Sequence, residues 1–366
     1  MMNELSLLIK PVGSRCNLAC SYCFYKQITA DRDDEKNVMS DETVRVLLDR
    51  VFAVRPSALS IAFQGGEPTL AGLDWYDRFL TQLAEKNTRG APVFLSLQTN
   101  GMQIDDRWAA LFKTYGFLVG LSLDGDRTTN DRFRMDRAGN SVYARILAAA
   151  EILSKHDVPF NVLSVLTDES AYEIERTYAA FRQEGFRFLQ FIPFVDEGTG
   201  QSLGNDAYAF FLKRIFSLWY RDFQAGNYIS IRHIDNYIRI LLGDLPENCA
   251  MCGVCGRYYT VDADGSLYPC DFYCRDSDRL GSVFDSSAFT GSEKHRTFLE
   301  ASHQIHAFCA SCSYAFLCRG GCRRDRTDAL TKNRYCEAYR AFFEDAFEQM
   351  QHVARQIMQQ TGGSTG

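Results

Sequence analysis

Three cysteines fall within eight residues near the start of the chain: Cys16, Cys20 and Cys23, spaced C-x3-C-x2-C. Thiolates in such a run can ligate three irons of a [4Fe-4S] cube and leave the fourth iron without a protein ligand. An open iron is a seat for a chelating cofactor. S-adenosylmethionine brings an amino group and a carboxylate to such a seat, and it supplies radical chemistry. A structural zinc site would want a fourth thiolate or imidazole, and no such residue lies near in sequence.

A second cysteine array lies far downstream. Cys309-x2-Cys312-x5-Cys318-x3-Cys322 is followed by Cys336 after a gap, and preceded by Cys249-x5-Cys255 and Gly265-x4-Cys270. If Cys322 joins the upstream group, two four-thiolate sets result: Cys249, Cys255, Cys270 and Cys322, then Cys309, Cys312, Cys318 and Cys336. All-thiolate sites suit zinc or iron–sulfur clusters, and ligand identity does not separate the two. A radical-type cluster in the same chain gives auxiliary clusters a purpose, since electrons then have somewhere to go. Cys252 and Cys274 are left as spare buried thiols, although spacing also allows Cys252 to replace Cys249. Asp271 follows Cys270 directly and is flanked by aromatics. A carboxylate there reads either as a general base beside an electron acceptor or as a turn aspartate.

These residues need a frame. An apolar run, Leu5 to Ile9, precedes the first cysteines and reads as a strand. Further strand-like runs at 59–63, 93–98, 117–123, 160–166 and 186–192 each follow a helical stretch. Such alternation predicts parallel strands with crossover helices. Six units are too few for an eight-fold barrel, so a partial, open (β/α)6 barrel is expected, with functional groups where strands end. Polar and glycine residues do cluster there: Cys16–Cys23, Gln64-Gly65-Gly66-Glu67-Pro68, Gln98-Thr99-Asn100-Gly101 and Ser122-Leu123-Asp124-Gly125, with Gln190 and Val195 flanking the end of the sixth. Asp206–Phe223 reads as a core-packing helix and Ile229–Leu242 as a connector. A cysteine-rich region follows Pro246, then a helix at Asn333–Gln359 and a loose tail at Thr361–Gly366. The expected domains are residues 1–232 and 233–366.

Composition bounds the rest. At 366 residues with net charge -6, the chain carries no basic excess for a nucleic-acid backbone. No run approaches the roughly 20 apolar residues of a membrane span, and no secretory signal pattern opens the chain. The thirteen cysteines split three and ten with none between Cys23 and Cys249. That pattern points to metal ligation in a reducing cytoplasm rather than a disulfide scaffold.

Together these motifs resemble a radical S-adenosylmethionine enzyme with a C-terminal SPASM domain, and within that group the anaerobic sulfatase-maturating enzymes. The resemblance runs from Leu5 to about Phe347. It is carried by Leu-Ile-Lys-Pro before the first cluster, Cys20-Ser-Tyr-Cys-Phe-Tyr25, Phe63-Gln-Gly-Gly-Glu-Pro-Thr-Leu-Ala-Gly72, Ser96-Leu-Gln-Thr-Asn-Gly101, Gly120-Leu-Ser-Leu-Asp-Gly125, Phe188-Leu-Gln-Phe-Ile192 and Tyr268-Pro-Cys-Asp-Phe-Tyr273. It implies that Cys16, Cys20 and Cys23 ligate the catalytic cluster. It places Gly66 against the amino-acid end of S-adenosylmethionine, with Tyr22, Ser122, Arg134 and Val195 around the rest. It makes Asp271 the base, and Tyr25, Gln64 and Gln98 the substrate wall. The two four-thiolate sets match two auxiliary clusters, so three [4Fe-4S] clusters are expected in all. Asp126 and Asn130 depart from the family pattern, where Pro and His are common.

The function implied is oxidation of a Cys or Ser in a sulfatase segment, Cys/Ser-x-Pro-x-Arg, to Cα-formylglycine, with a flavodoxin- or ferredoxin-type electron donor. A rival with the same radical start is maturation of a ribosomal peptide by crosslink, thioether or epimerisation. Many such enzymes carry a leader-binding domain ahead of the barrel, and the first strand here begins by Leu5. A zinc-stapled binding module is the non-enzymatic alternative.

Overall fold

The computed structural model describes residues 4–25, 38–195, 202–256, 258–326 and 332–362. The tail expected from Thr361 onward lies outside them after residue 362. Two compact units divide the chain. One is Met1–Leu123 with Asn130–Asn161 and Gly256–Phe298; the other is Asp124–Thr129 with Val162–Cys255 and Leu299–Gly366.

In the first unit, strands β1 (Glu4–Ile9), β2 (Ala58–Phe63), β3 (Val93–Thr99) and β4 (Leu118–Ser122) run parallel in that spatial order. β4 is a continuous buried run after its first residue, while β2 and β3 alternate buried with more open residues, as strands with one packed face should. The helices between them are fixed by local chemistry. Ser40 caps Asp41–Ala53 by accepting from the Thr43 N–H, with Asp41 and Glu42 in the first turn. Asp105 caps Asp106–Tyr115, which ends on Gly116 in the left-handed region at φ 66°. Phe63 anchors the core: its ring centroid lies 5.1 Å from those of Tyr76 and Phe79, near the aromatic packing optimum.

The same unit takes in a distant hairpin. Strand β8 (Tyr259–Val261) lies parallel to β1, pairing Leu7 with Tyr259 and Ile9 with Val261. Strand β9 (Ser266–Tyr268) pairs antiparallel with β8. Residues just after β9 are thereby tied to the sheet that carries the first cysteines.

Strands β5 (Phe160–Leu166, of the second unit from Val162), β6 (Phe188–Pro193) and β7 (Ser230–Ile231) are parallel. Helix Asn205–Gln224 buries Phe211, Phe216 and Trp219, so its aromatic face is core, as expected. Residues 232–241, expected as a connector, form a helix whose Ile234, Tyr237 and Ile238 are buried. Their i, i+3, i+4 spacing makes a single apolar stripe. The α/β class and the six β/α repeats of a partial (β/α)6 barrel are those expected.

Candidate active site

The loop after β1 is held at both ends by backbone hydrogen bonds. Gly66 N–H donates to Gly13 O at 2.9 Å and Glu67 N–H to Arg15 O at 2.8 Å. On the far side, Ala19 N–H reaches Met135 O and Ser21 N–H reaches Phe133 O, both at 2.9 Å. Gly66 has a steric reason to be glycine: a Cβ there would lie 2.1 Å from the Arg15 carbonyl oxygen and 2.3 Å from that of Ser14. Glu67, fully buried, joins the ends of β2 and β3. Its carboxylate accepts from Thr69 N–H at 3.1 Å, Thr99 Oγ1 at 2.8 Å and Asn100 N–H at 2.7 Å.

None of the thirteen cysteines is in a disulfide. Burial pushes the Cys16 thiol up to about 11, while the Leu18 N–H pulls the other way. Two donors point at this sulfur, Leu18 N–H at 3.4 Å and Asn100 Nδ2 at 3.6 Å. Donors aimed at a sulfur favour its charged form, and iron would hold it there outright. Among the described residues no three Cys, His, Asp or Glu side chains converge to grip a single ion. A cube does not ask for that, because each thiolate takes its own iron. Cys16, Cys20 and Cys23 therefore fit a cluster.

Near this loop, Arg134 Nη2 donates to the Tyr22 hydroxyl at 2.6 Å and lies over its ring, 5.7 Å from the centroid. Gln98 Nε2 donates to Ser122 Oγ at 2.9 Å. The Gln98 amide also lies where a side chain at position 120 would go, 2.0 Å from a Cβ, so Gly120 is required for it. In the second unit, Val195 is buried and its carbonyl accepts from Arg324 Nη2 at 2.7 Å.

Tyr25, Gln64 and Asp271 meet. Asp271 Oδ2 accepts from the Tyr25 hydroxyl at 2.6 Å and from Gln64 Nε2 at 3.0 Å. Burial, then the neighbouring Asp271 charge, pushes the Tyr25 phenol well above its usual range, so it stays a neutral donor. Phe24 and Phe272, with ring centroids 5.0 Å apart, pack beside the group. Gln98 is not part of this cluster, since its amide is engaged with Ser122.

Sequence reasoning missed Lys10. Its ammonium lies 2.9 Å from Asp271 Oδ1, and both side chains are nearly inaccessible, at 2% and 3%. The same Nζ is 3.2 Å from Cys274 Sγ and 4.8 Å from the Tyr25 ring centroid. Burial alone would depress the Lys10 pKa. The charge of Asp271 outweighs that, helped by Cys274 and Asp262, and holds it above an ordinary lysine. Burial pushes the Cys274 thiol up to about 12, against the pull of Lys10. Deleting one partner of such a pair leaves an uncompensated buried charge, at a cost of about 3–5 kcal/mol.

The downstream thiols separate into groups. Cys309, Cys312, Cys318 and Cys336 line one cavity of the second unit together with Phe308 and Tyr314. Burial raises the Cys318 thiol, and the Gly320 N–H bonded to it opposes that shift. Cys255 accepts from the Arg323 N–H, next to Cys322. Cys249, Cys255 and Cys322 belong to the second unit and Cys270 to the first. Tyr258 OH lies 3.3 Å from Cys270 Sγ. Cys252 Sγ lies within hydrogen-bond distance of the Pro246 and Asn248 carbonyls, each at 3.4 Å. Asp126, one of the departures from the family pattern, accepts from the Thr129 N–H at 2.9 Å and pairs with Arg176 at 3.1 Å. Its carboxylate has a structural use.

The family model of the Radical SAM superfamily matches residues 11–181. A cysteine-type anaerobic sulfatase-maturating enzyme of Clostridium perfringens is 39% identical, over 97% of this chain and 100% of its own. A serine-type anaerobic sulfatase-maturating enzyme of Klebsiella pneumoniae is 31% identical, over 96% of this chain and 89% of its own. Among solved structures, native anSMEcpe with bound AdoMet and Cp18Cys peptide superposes with a TM-score of 0.91 at 39% identity. That match covers 97% of this chain and 99% of the other.

Proposed function

Because the chain belongs to the Radical SAM superfamily, and within it to the anaerobic sulfatase-maturating enzymes, we propose that it oxidises a sulfatase cysteine, in preference to a serine, to Cα-formylglycine. Higher identity to the cysteine-type relative, 39% against 31%, supports the cysteine preference. When bound, a cluster on Cys16, Cys20 and Cys23 with S-adenosylmethionine supplies a 5′-deoxyadenosyl radical that takes hydrogen from the substrate Cβ, and two auxiliary clusters take up the remaining electron.

Asp271 accepts the proton of the substrate thiol. Tyr25 and Gln64, both donating to Oδ2, aim the carboxylate. Loss of a hydrogen atom, a proton and an electron turns the cysteine side chain into a thioaldehyde. Water converts this to the aldehyde and releases hydrogen sulfide. Tyr22, Gly66, Ser122, Arg134 and Val195 border S-adenosylmethionine, and Gln98 joins Tyr25 and Gln64 along the peptide. The auxiliary ligands are Cys249, Cys255, Cys270 and Cys322 for one cluster, and Cys309, Cys312, Cys318 and Cys336 for the other. The peptide carries Cys-x-Pro-x-Arg, and a flavodoxin- or ferredoxin-type protein in the cytoplasm supplies electrons. No helix among the described residues is long and apolar enough to cross a membrane.

The observation that carries this reading is Asp271: a buried carboxylate, one residue from a thiolate ligand, with two neutral donors on one oxygen. The test is an anaerobic assay of the reconstituted enzyme on Cys and Ser versions of the peptide, read by mass spectrometry. Aldehyde should form faster from Cys. Release of deoxyadenosine with both peptides unchanged rejects the reading. Asp271→Asn should keep cofactor cleavage and cut aldehyde formation about 10²-fold, the usual scale for losing a general base.

A further inference from the structure

Two buried groups at the heart of the site have no part in the chemistry above. Lys10 ends the first strand segment, in the Leu-Ile-Lys-Pro run, and Cys274 follows Asp271 by three residues. They meet across 264 positions of sequence. A lysine that is 2% exposed is rare unless it is paired, and among the described residues this one pairs with Asp271.

We propose that Lys10 is a positioning residue for Asp271, and that Cys274 seats the Lys10 ammonium. The division of the carboxylate carries the idea. Oδ1 faces Lys10 at 2.9 Å, while Oδ2 faces Tyr25 and Gln64 at 2.6 and 3.0 Å. The charge of Lys10 held beside Oδ1 opposes rotation of the carboxylate, and Oδ2 is left as the oxygen presented to a substrate thiol. Lys10 is itself anchored on three sides. Its N–H donates to Val261 O at 2.9 Å. Its ammonium donates to the Cys274 sulfur, and the Tyr25 ring face lies 4.8 Å away, a favourable place for a cation. The Cys274 sulfur in turn bonds the Cys270 carbonyl at 3.5 Å, so it is tied to the turn that presents Asp271. Sequence reasoning gives neither residue a role, because each acts only through the other and through Asp271.

This inference rests on Asp271 being the base of the proposed reaction. The test compares the reconstituted wild type with Lys10→Met, Asp271→Asn and the double variant. Iron content, deoxyadenosine, aldehyde and the peptide KM are measured for each. Lys10→Met should keep its iron and its rate of deoxyadenosine formation, with KM little changed, while aldehyde per deoxyadenosine falls at least about tenfold. The double variant should do no worse than Asp271→Asn, because residues acting as a unit are non-additive. A merely structural lysine would instead lower iron, cofactor cleavage and aldehyde together, and that result overturns the proposal. So does a wild-type ratio of aldehyde to deoxyadenosine in Lys10→Met. Should Lys10→Met fail to fold for want of a partner to Asp271, the double variant holds no unpaired carboxylate. Aldehyde equal to that of Asp271→Asn then supports the proposal, and a further drop overturns it. Failure of the wild type to make aldehyde from either peptide is visible before any variant is compared; it rejects the proposed function, and this inference falls with it.

Discussion

The thiols at residues 16–23 and those at 309–336 solve opposite problems. The first three sit on a loop tied by backbone hydrogen bonds to the end of the second strand and to residues 133–135. Their neighbours are polar: Asn100 Nδ2 bonds Asn17 Oδ1 at 2.8 Å and points at Cys16 Sγ. The second four line a cavity with Phe308 and Tyr314. On the proposed assignment, three thiolates leave one iron open to a chelating cofactor, and the chemistry would happen at that corner. On the same assignment, the four thiolates, walled by Phe308 and Tyr314 and also by Lys332 and Arg340, leave no iron open and suit passage of an electron. On this reading the count of thiolates, three against four, separates what the same inorganic cube would do in the two places.

The comparison is broken most forcefully by removing a thiolate from each side. Cys20→Ala should abolish deoxyadenosine formation and lower iron by about four of about twelve atoms, one cube of three. Cys312→Ala should lower iron by the same about four atoms, yet keep deoxyadenosine formation while aldehyde falls about 10²-fold. Parallel iron and activity assays check both. If Cys312→Ala also loses cofactor cleavage, the two regions do not divide the work and the contrast fails.

A gentler variant asks how the first loop is held. Gly66→Ala places a methyl group 2.1 Å from the Arg15 carbonyl oxygen, so the cysteine loop must shift. Overpacking of this kind costs about 1–3 kcal/mol. Thermal melting should register it, and cofactor cleavage should drop about tenfold through the displaced loop. Unchanged melting and cleavage would mean that the backbone contact does not hold the loop.

Much of this was legible in the sequence. Alternating apolar runs and helical stretches specified the β/α repeats, because parallel strands need crossover helices between them. The cysteine spacing announced the first cluster without any structure. The connector expected at Ile229–Leu242 is helical over Arg232–Leu241, a feature written in the stripe of Ile234, Tyr237 and Ile238. The family resemblance assigns Gln98 to the substrate wall; that its amide also donates to Ser122 is a contact no local pattern marks. Lys10 and Cys274 were invisible. No local pattern marks a pair 264 residues apart, and the pairing depends on β8 lying beside β1, a long-range register that periodicity does not encode.

The smallest expected effect sharpens the ligand assignment in the second unit. Cys252 lies between Cys249 and Cys255, and spacing alone allows it to be a ligand. Its sulfur instead donates to the carbonyls of Pro246 and Asn248, each at 3.4 Å. A serine hydroxyl can donate to the same two oxygens. Cys252→Ser should therefore leave iron unchanged and stability within about 0.5 kcal/mol, the range of substitutions that break no key interaction. Cys249→Ser should cost up to about four irons. Iron analysis of the two variants side by side decides the matter. If Cys252→Ser loses the iron and Cys249→Ser keeps it, the thiol donor bonds belong to a resting geometry that the cluster replaces, and the ligand set becomes Cys252, Cys255, Cys270 and Cys322.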